Sequence, residues 1–577
     1  MQRRGGWPLQ LLGGACALIG AVLAIGGAWL LAIGGSWYYL VAGLGLTISG
    51  VQLWRARRNG ALWFAATFLL SLLWAAWESG ADYWRWVPRM GLMVFLALLL
   101  ALLLPGLDRP FSRRLSRTLA AVLALVFVGA FALAFLPYGV TEADGTLAHA
   151  AGMAAALATP RTGAQPADAP ADADWAAYGR DNAGSRYTPL RQIAPGNSSA
   201  DYWSSSRTPQ EDRYATSLVA LDVTTGKPVW NFQTTHIDVW DYDLGSQPTL
   251  LDFPHDGTTV PAVLLPSKQG ELYVLDRRTG KPLVGVEERA VPGGGVEPQR
   301  RARTQPFSLY HSLRKRDLTE RDMWGMTPID QLVCRIQFRS ASYKGIYTPP
   351  EADRHSIEYP GYNGGSDWGS VAVDPRRGVI VANYNDMPNY NLLVPRAKAD
   401  KMGWAPRDQV RGDSGGAEGA GDPQAGTPYA INVNAGWRLP FTGLLCKQPP
   451  YGGIRAIDLA SGKTLWDRPF GSARGNGPFG IHSGLPIEIG TPNNGGAVVS
   501  ASGLIFIAAA TDDLIRAIDL ASGKTLWQAK LPAGGQATPM VYAVDGREYL
   551  VIVAAGHHFM ETKRGDYVIA YALPPAG

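Results

Sequence analysis

The segment THIDVWDYDLGSQP, residues 235–248, sets Asp238, Asp241 and Asp243 around Trp240. A carboxylate fixed against an indole can act as a general base, taking the proton of a hydroxyl that lies over a flat cofactor. An acid in a loop more often caps a turn or meets water, so the spacing alone leaves both readings open. Other chemistries are excluded more firmly. The tetrapeptide SGKT occurs twice, but Ile457 and Ile518 stand where a phosphate-binding loop needs its first glycine, and both copies lie between strands rather than before a helix. No Gly-x-Gly-x-x-Gly opens a helix after a strand, which leaves nicotinamide and flavin unsupported. No Cys-x-x-Cys-His is present, so no covalently attached c-type haem is expected. Three cysteines exclude a disulfide framework. Cys16 lies in an apolar run, whereas Cys334 and Cys446 can pair in an oxidising compartment.

The elements that must position these acids begin with a membrane unit. The 577-residue chain is 46% hydrophobic and 18% charged, with 19 tryptophans and 68 glycines, a balance that disfavours disorder and coiled coil. Apolar runs cover residues 9–33, 37–54, 61–77, 87–104 and 118–136, each near the ~20 residues that cross a bilayer as helix. Five spans are therefore expected within residues 1–140. The net charge is only +5, and its arginines fall into groups that serve topology rather than nucleic acid. Arg3 and Arg4, then Arg55, Arg57 and Arg58, then Arg109, Arg113, Arg114 and Arg117 all fall on one side of five alternating spans. The positive-inside rule makes that side cytoplasmic and places everything after Pro137 outside. Trp37, Trp54, Trp77, Trp84 and Trp86 stand at span ends as an aromatic belt.

Residues 141–173 are rich in Ala, Pro, Asp and Gly and read as a flexible linker. From 174 to 577 the pattern changes to short β runs punctuated by Gly, Pro and Asn, and no long segment of helical period competes. IRAIDLASGKTLW occupies 454–466 and recurs unchanged at 515–527, with weaker copies at 218–230 and 272–284. Each copy reads as a hairpin whose glycine takes the positive-φ turn position and whose tryptophan docks on the neighbouring unit. Repeats of this size, built of strands, predict an all-β propeller.

Five spans followed by a tryptophan-docked propeller outside the membrane resemble the membrane-bound quinoprotein dehydrogenases of the glucose/quinate/shikimate group, which use pyrroloquinoline quinone (PQQ). The resemblance rests on WAAYGRDNAGSRYTPLRQI (175–193), RYATSLVALD, THIDVWDYDLGSQP, PSKQGELYVLDRRTG, DMWGMTPIDQLVCR, YTPPEADRHSIEYPG, CKQPPYGGIRAIDL and LPAGGQATPM. It implies that Asp241 is the catalytic carboxylate and that Lys268 hydrogen-bonds a quinone oxygen of PQQ. It further implies that Asn383, in VANYND, contacts the cofactor and that Trp368, in SDWGS, lies in the site wall. Asp238 and Asp243 read as hydrogen-bonded supports, and His236, His557 and His558 as loop or core histidines. The implied activity is oxidation of a sugar or cyclic polyol in the periplasm of a bacterial inner-membrane protein, with electrons passed to ubiquinone. The polar stretches YNGGSDWGSV and GTPNNGGAV lean toward quinate, shikimate or another polyol over glucose.

One departure from the family pattern stands out. The long stretch that separates the 175–193 motif from RYATSLVALD in the family is absent, the break falling near Ala194. In the family that stretch carries the tryptophan that stacks under PQQ, an active-site histidine and the Asp–Asn pair that holds a divalent cation, Mg²⁺ or Ca²⁺. Metal ligands therefore stay unassigned, and about five of the family's eight blades are expected. The rival reading is a non-catalytic propeller tethered to the membrane.

Overall fold

A computed structural model describes residues 6–142, 202–404, 424 and 426–573. Most of the expected linker (143–173) and the 175–193 motif lie outside the described residues. Thr141 and Glu142, read from sequence as the start of that linker, instead pair antiparallel with Asp467 and Trp466 as an edge strand.

Five helices form the N-terminal bundle: α1 (Trp7–Ala32), α2 (Tyr38–Trp54), α3 (Arg58–Ser79), α4 (Tyr83–Leu103) and α5 (Arg113–Leu133). Four of them, α1, α3, α4 and α5, are long and apolar enough to cross a membrane. This corrects the expected five. The second helix has 17 residues, about 26 Å at ~1.5 Å per residue, short of a hydrocarbon core of ~30 Å. It pairs instead with α1 along glycines spaced seven apart, Gly13, Gly20 and Gly27 on one helix and Gly43 and Gly50 on the other. A methyl group at any of the five would overlap backbone of the partner helix. With little hydrophobic drive between helices in lipid, such backbone proximity is what holds them together, and a seven-residue period keeps one stripe of each helix at the contact. By contrast α5 buries only Ser116 and Ala120.

The longest helix described in the β region, α6 (Pro328–Ser340), interrupts it where the sequence was expected to hold short strands, and two six-residue helices, Pro209–Tyr214 and Arg396–Lys401, lie there as well. Its signal is local: Thr327 caps it, with a reciprocal bond to Asp330 three residues on, and Pro328 opens the first turn. Leu332 and Ile336 of α6 pack on Gly26 of α1. Arg335, fully buried, donates to Glu78 at 2.5 Å and to Glu320 at 3.3 Å, and Arg89 of α4 donates to the same Glu78 oxygen at 2.6 and 2.8 Å. Tyr39 donates to Gln331 at 2.7 Å. A disulfide joins Cys334 of α6 to Cys446, so this helix is tied both to the bundle and to the β region.

The β region consists of antiparallel sheets, among them four-stranded meanders such as Ala497–Val499, Leu504–Ile507, Leu514–Asp519 and Thr525–Lys530. The joints between sheets repeat. Trp230 Nε1 donates to Arg277 O at 3.1 Å, and Trp466 Nε1 to Leu520 O at 2.8 Å. In each case the acceptor follows the repeat's aspartate, and the ring lies on the repeat's glycine, Gly280 or Gly523, where a Cβ would stand 2.5 or 2.7 Å from it. Those glycines have φ of +70° and +66°, so turn geometry and the docked ring both demand glycine. At the intervening joint Tyr310 takes the same place, its hydroxyl donating to Leu459 O at 2.7 Å over Gly462. The first sheet of the series has two strands and the last has three, short of the four of a propeller blade. The expected count of about five blades is not defined among the described residues, and no closed ring is seen among them.

Candidate active site

The loop that carries the three acids leaves the hairpin strand Pro228–Gln233. Its aromatic residues anchor it. Trp240 and Tyr242 are buried with Phe307, Ile346 and Tyr347. The Trp240 indole donates to Thr348 O at 2.7 Å and the Tyr242 hydroxyl to Pro360 O at 2.5 Å. Pinning these two rings leaves the alternate residues, Asp241 and Asp243, to meet the turn that holds Lys268. Asp238 is spent inside the loop: it accepts from the Thr216 hydroxyl at 3.0 Å and from the Trp240 amide at 2.9 Å. Burial pushes its carboxyl up, against the opposing pull of the Trp240 amide and Arg207.

Lys268 lies in the turn between the strands Thr258–Pro266 and Glu271–Asp276. Its side chain is only 8% exposed. The ammonium donates to Asp241 O at 3.0 Å, stands 3.4 Å from Asp241 Oδ2, and makes a direct ion pair with Asp243. Burial alone would lower its pKa, but Asp241, Asp243 and Asp367 together hold it well above the ordinary lysine value. Asp241 has φ +57°, a left-handed conformation that a non-glycine residue keeps only when its surroundings impose it, and such strain gathers at functional sites.

The Asn363–Trp368 stretch closes over this turn. Gly365 N donates to Lys268 O at 2.5 Å, and a Cβ on Gly364 would collide with the Lys268 backbone. Ser246 donates to Asp367 O at 2.8 Å, which ties the acidic loop to the same stretch. Trp368 is 52% exposed beside Gly245, with its ring 5.0 Å from that of His557, which in turn lies 5.1 Å from His558. Asn383 is buried one layer away, donating to Asn493 Oδ1 at 2.8 Å and Gly495 O at 3.0 Å. Asn385 and Asn493 bridge the layers: Asn493 N donates to Asn385 Oδ1 at 2.8 Å, and Asn385 N to Gly365 O at 3.3 Å. The structure thus brings Asp241, Asp243 and Lys268 into contact, sets Trp368 on the rim, and joins Asn383 to them through Asn385 and Asn493. Among the described residues no group of three or more His, Cys, Asp or Glu comes together to hold a metal ion.

Residues 194–550 match the family model of the PQQ-binding β-propeller domain of glucose, ethanol and alcohol dehydrogenases. The chain belongs to the PQQ-dependent quinoprotein dehydrogenases. It is 55% identical over 407 residues to the glycerol dehydrogenase large subunit of Gluconobacter oxydans, a match covering 69% of this chain and 54% of that one. It is 42% identical over 389 residues to the quinoprotein glucose dehydrogenase of Escherichia coli, covering 67% and 47%. It is 43% identical over 387 residues to a probable quinate dehydrogenase (quinone) of Xanthomonas campestris, covering 66% and 48%. The chain spans about half the length of these curated relatives.

For a PQQ-dependent dehydrogenase the donor set is informative. A buried ammonium suits the quinone edge of the cofactor, where negative charge gathers on reduction; the side-chain N–H groups of Asn383 and Asn493 already donate to Asn493, Gly495 and Tyr384. No such cluster exists for a divalent cation among the described residues. His557 was passed over in the sequence because its partner, Trp368, lies 189 positions away; Asn493 was read only as part of a polar stretch.

Proposed function

We propose that this chain is a membrane-anchored PQQ-dependent dehydrogenase that oxidises a sugar or polyol on the periplasmic face of the bacterial inner membrane and passes electrons to ubiquinone. The long apolar helices of the bundle fit a membrane anchor, and the Cys334–Cys446 disulfide fits an oxidising compartment such as the periplasm. The substrate class follows the relatives, whose names specify glycerol, glucose and quinate. The observation that carries the reading is Asp241, held in a left-handed conformation against the buried Lys268.

Bound PQQ supplies an electrophilic quinone that takes two electrons from the alcohol carbon. Lys268 and Asn383 would hold that group. Asp241 would accept the substrate hydroxyl proton at its carboxylate, and Lys268, 3.4 Å from Asp241 Oδ2, holds that carboxylate in position. Asp243 balances the lysine, and Trp368 with His557 walls the opening against water. Purified chain supplied with PQQ and Mg²⁺ or Ca²⁺ should reduce a dye with glycerol, glucose or quinate. Asp241→Asn should cost roughly 10²–10⁴-fold in kcat; unchanged turnover in that variant removes the base assignment. The second reading, a non-catalytic tethered propeller, draws on the two aspartates that already neutralise Lys268, which leave little positive charge for a cofactor with three carboxylates. Under that reading neither PQQ binding nor turnover is measurable.

A further inference from the structure

Three large apolar side chains stand in water at one place on the β region. Phe441 is 89% exposed, Phe479 68% and Ile481 67%. They form one tip, since Phe479 N donates to Thr442 O at 2.7 Å and joins the two loops that carry them. The longer loop closes on itself below the tip, with Gly484 N donating to Arg474 O at 3.1 Å and Ser483 N to Asn476 O at 3.2 Å. Phe479 itself has φ +60° between Gly477 and Gly480, a conformation rare for a bulky side chain. A soluble surface gains nothing from straining the backbone to display a phenylalanine, and exposed apolar clusters of this kind mark contact sites.

The base of the loop says what the contact is. Ala473, Leu485, Ile487 and Ile489 pack with Trp84, Tyr83 and Val87 at the start of α4 and with Ala134 and Tyr138 just beyond α5. Trp324 donates to Trp84 O at 2.7 Å in the same cluster. The loop therefore grows out of the end of the helix bundle, next to the start of α4 and the end of α5. Arg474, exposed at the base, makes no ion pair among the described residues, which is the arrangement of an interfacial element with an apolar end in acyl chains and a cation among headgroups. We infer that the Phe441–Phe479–Ile481 tip inserts into the outer leaflet beside α4 and α5 and sets the tilt of the β region on the membrane. The inference rests on the reading of the bundle as membrane-spanning.

Full-length protein in a Cys16→Ala background, carrying a single cysteine with an environment-sensitive fluorophore, is reconstituted in phosphatidylethanolamine/phosphatidylglycerol vesicles with and without doxyl-labelled lipid. Phe479→Cys should give blue-shifted emission that doxyl lipid quenches, as should Leu125→Cys on the outward face of α5, while Val544→Cys should keep water-exposed emission without quenching. Quenching at Leu125 but not at Phe479, whether the Phe479 label reports water or shielding by protein, overturns the inserted tip. No quenching at Leu125 overturns the membrane-spanning bundle itself. Phe441→Ser/Phe479→Ser/Ile481→Ser should fold normally, because these side chains are mostly exposed, and should abolish the quenching at a label placed on Gly480.

Discussion

Replacing Lys268 by methionine removes the one cation between Asp241 and Asp243 and keeps most of the side-chain volume. The lysine side chain is 8% exposed and the two aspartates 23% and 24%, so both acids would be left in a site that water reaches only partly. Removing one member of a buried pair costs about 3–5 kcal/mol, and the quarter exposure of the acids places this case near 3. For a β domain of this size that is a fall of roughly 4 °C in Tm. The cost is electrostatic, so it has two signatures that lost packing does not. Asp243→Asn added to Lys268→Met removes one of the orphaned charges and should restore about 1–2 kcal/mol. Lowering the pH from 7 to 4.5 should also narrow the gap between Lys268→Met and the parent chain, because the orphaned acids, destabilised as anions, take up protons. Thermal unfolding followed by tryptophan fluorescence in detergent at both pH values measures all three terms. A loss below 1 kcal/mol, with no rescue by Asp243→Asn, would refute the view that the lysine holds the acidic loop in place.

Glu271 is buried and accepts from Ser312 and the Ser308 amide, and burial raises its pKa from 4.5 to about 7. A folded-state value above the unfolded one means that its contribution is fully present below pH 4.5 and fades as pH rises through 7, a difference of roughly 3 kcal/mol. Glu271→Gln should accordingly be more stable than the parent at pH 8 and equal to it near pH 4, as denaturant midpoints would show. Gly20→Ala should abolish or severely destabilise the α1–α2 hairpin, since its methyl meets the Thr47 backbone, whereas Gly91→Ala, with open space around it, should be neutral or gain up to about 1 kcal/mol; yield of folded protein in detergent separates them. Cys334→Ser/Cys446→Ser opens a loop with a sequence separation of 112 and should cost about 5 kcal/mol by chain entropy, read as a lowered unfolding midpoint that reductant no longer changes.

The parts of the fold visible in the sequence were those with a local period. Five apolar runs became five helices, and only a missing turn in α2 separates the expected spans from those long enough to cross. The Asp-x-x-x-Gly-Lys hairpins and the docking of Trp230 and Trp466 follow from the repeat itself. Tyr310 does not, because it reaches Gly462 from the bend between the strands Thr304–Ser308 and His311–Ser312, outside the repeat, and fills the place where the 272–284 copy has Val284. The α6 helix carried a capping box that strand-rich surroundings hid. At the site, Asp241 and Lys268 were identified through family likeness, since neither spacing nor composition says that residues 27 apart form an ion pair. The relay from Asn383 through Asn493 and Asn385 joins strands and loops more than 100 positions apart and has no local signature.

The ring–glycine joint has a consequence for how such chains change over generations. Three of the four repeats offer a glycine and a carbonyl to an aromatic residue before them, and two of the four supply the tryptophan for such a joint further on. The 454–466 unit carries both halves of one connector, a glycine that seats Tyr310 and a tryptophan that docks on Gly523. A gene that gains or loses whole units brings matching halves together at the new seam, while a cut inside a unit leaves a ring with no seat. Trp527, 40% exposed against Tyr571, shows what an aromatic residue does where the next unit offers no such seat. Modularity of this kind would let the number of units change while the chemistry of each joint stays fixed.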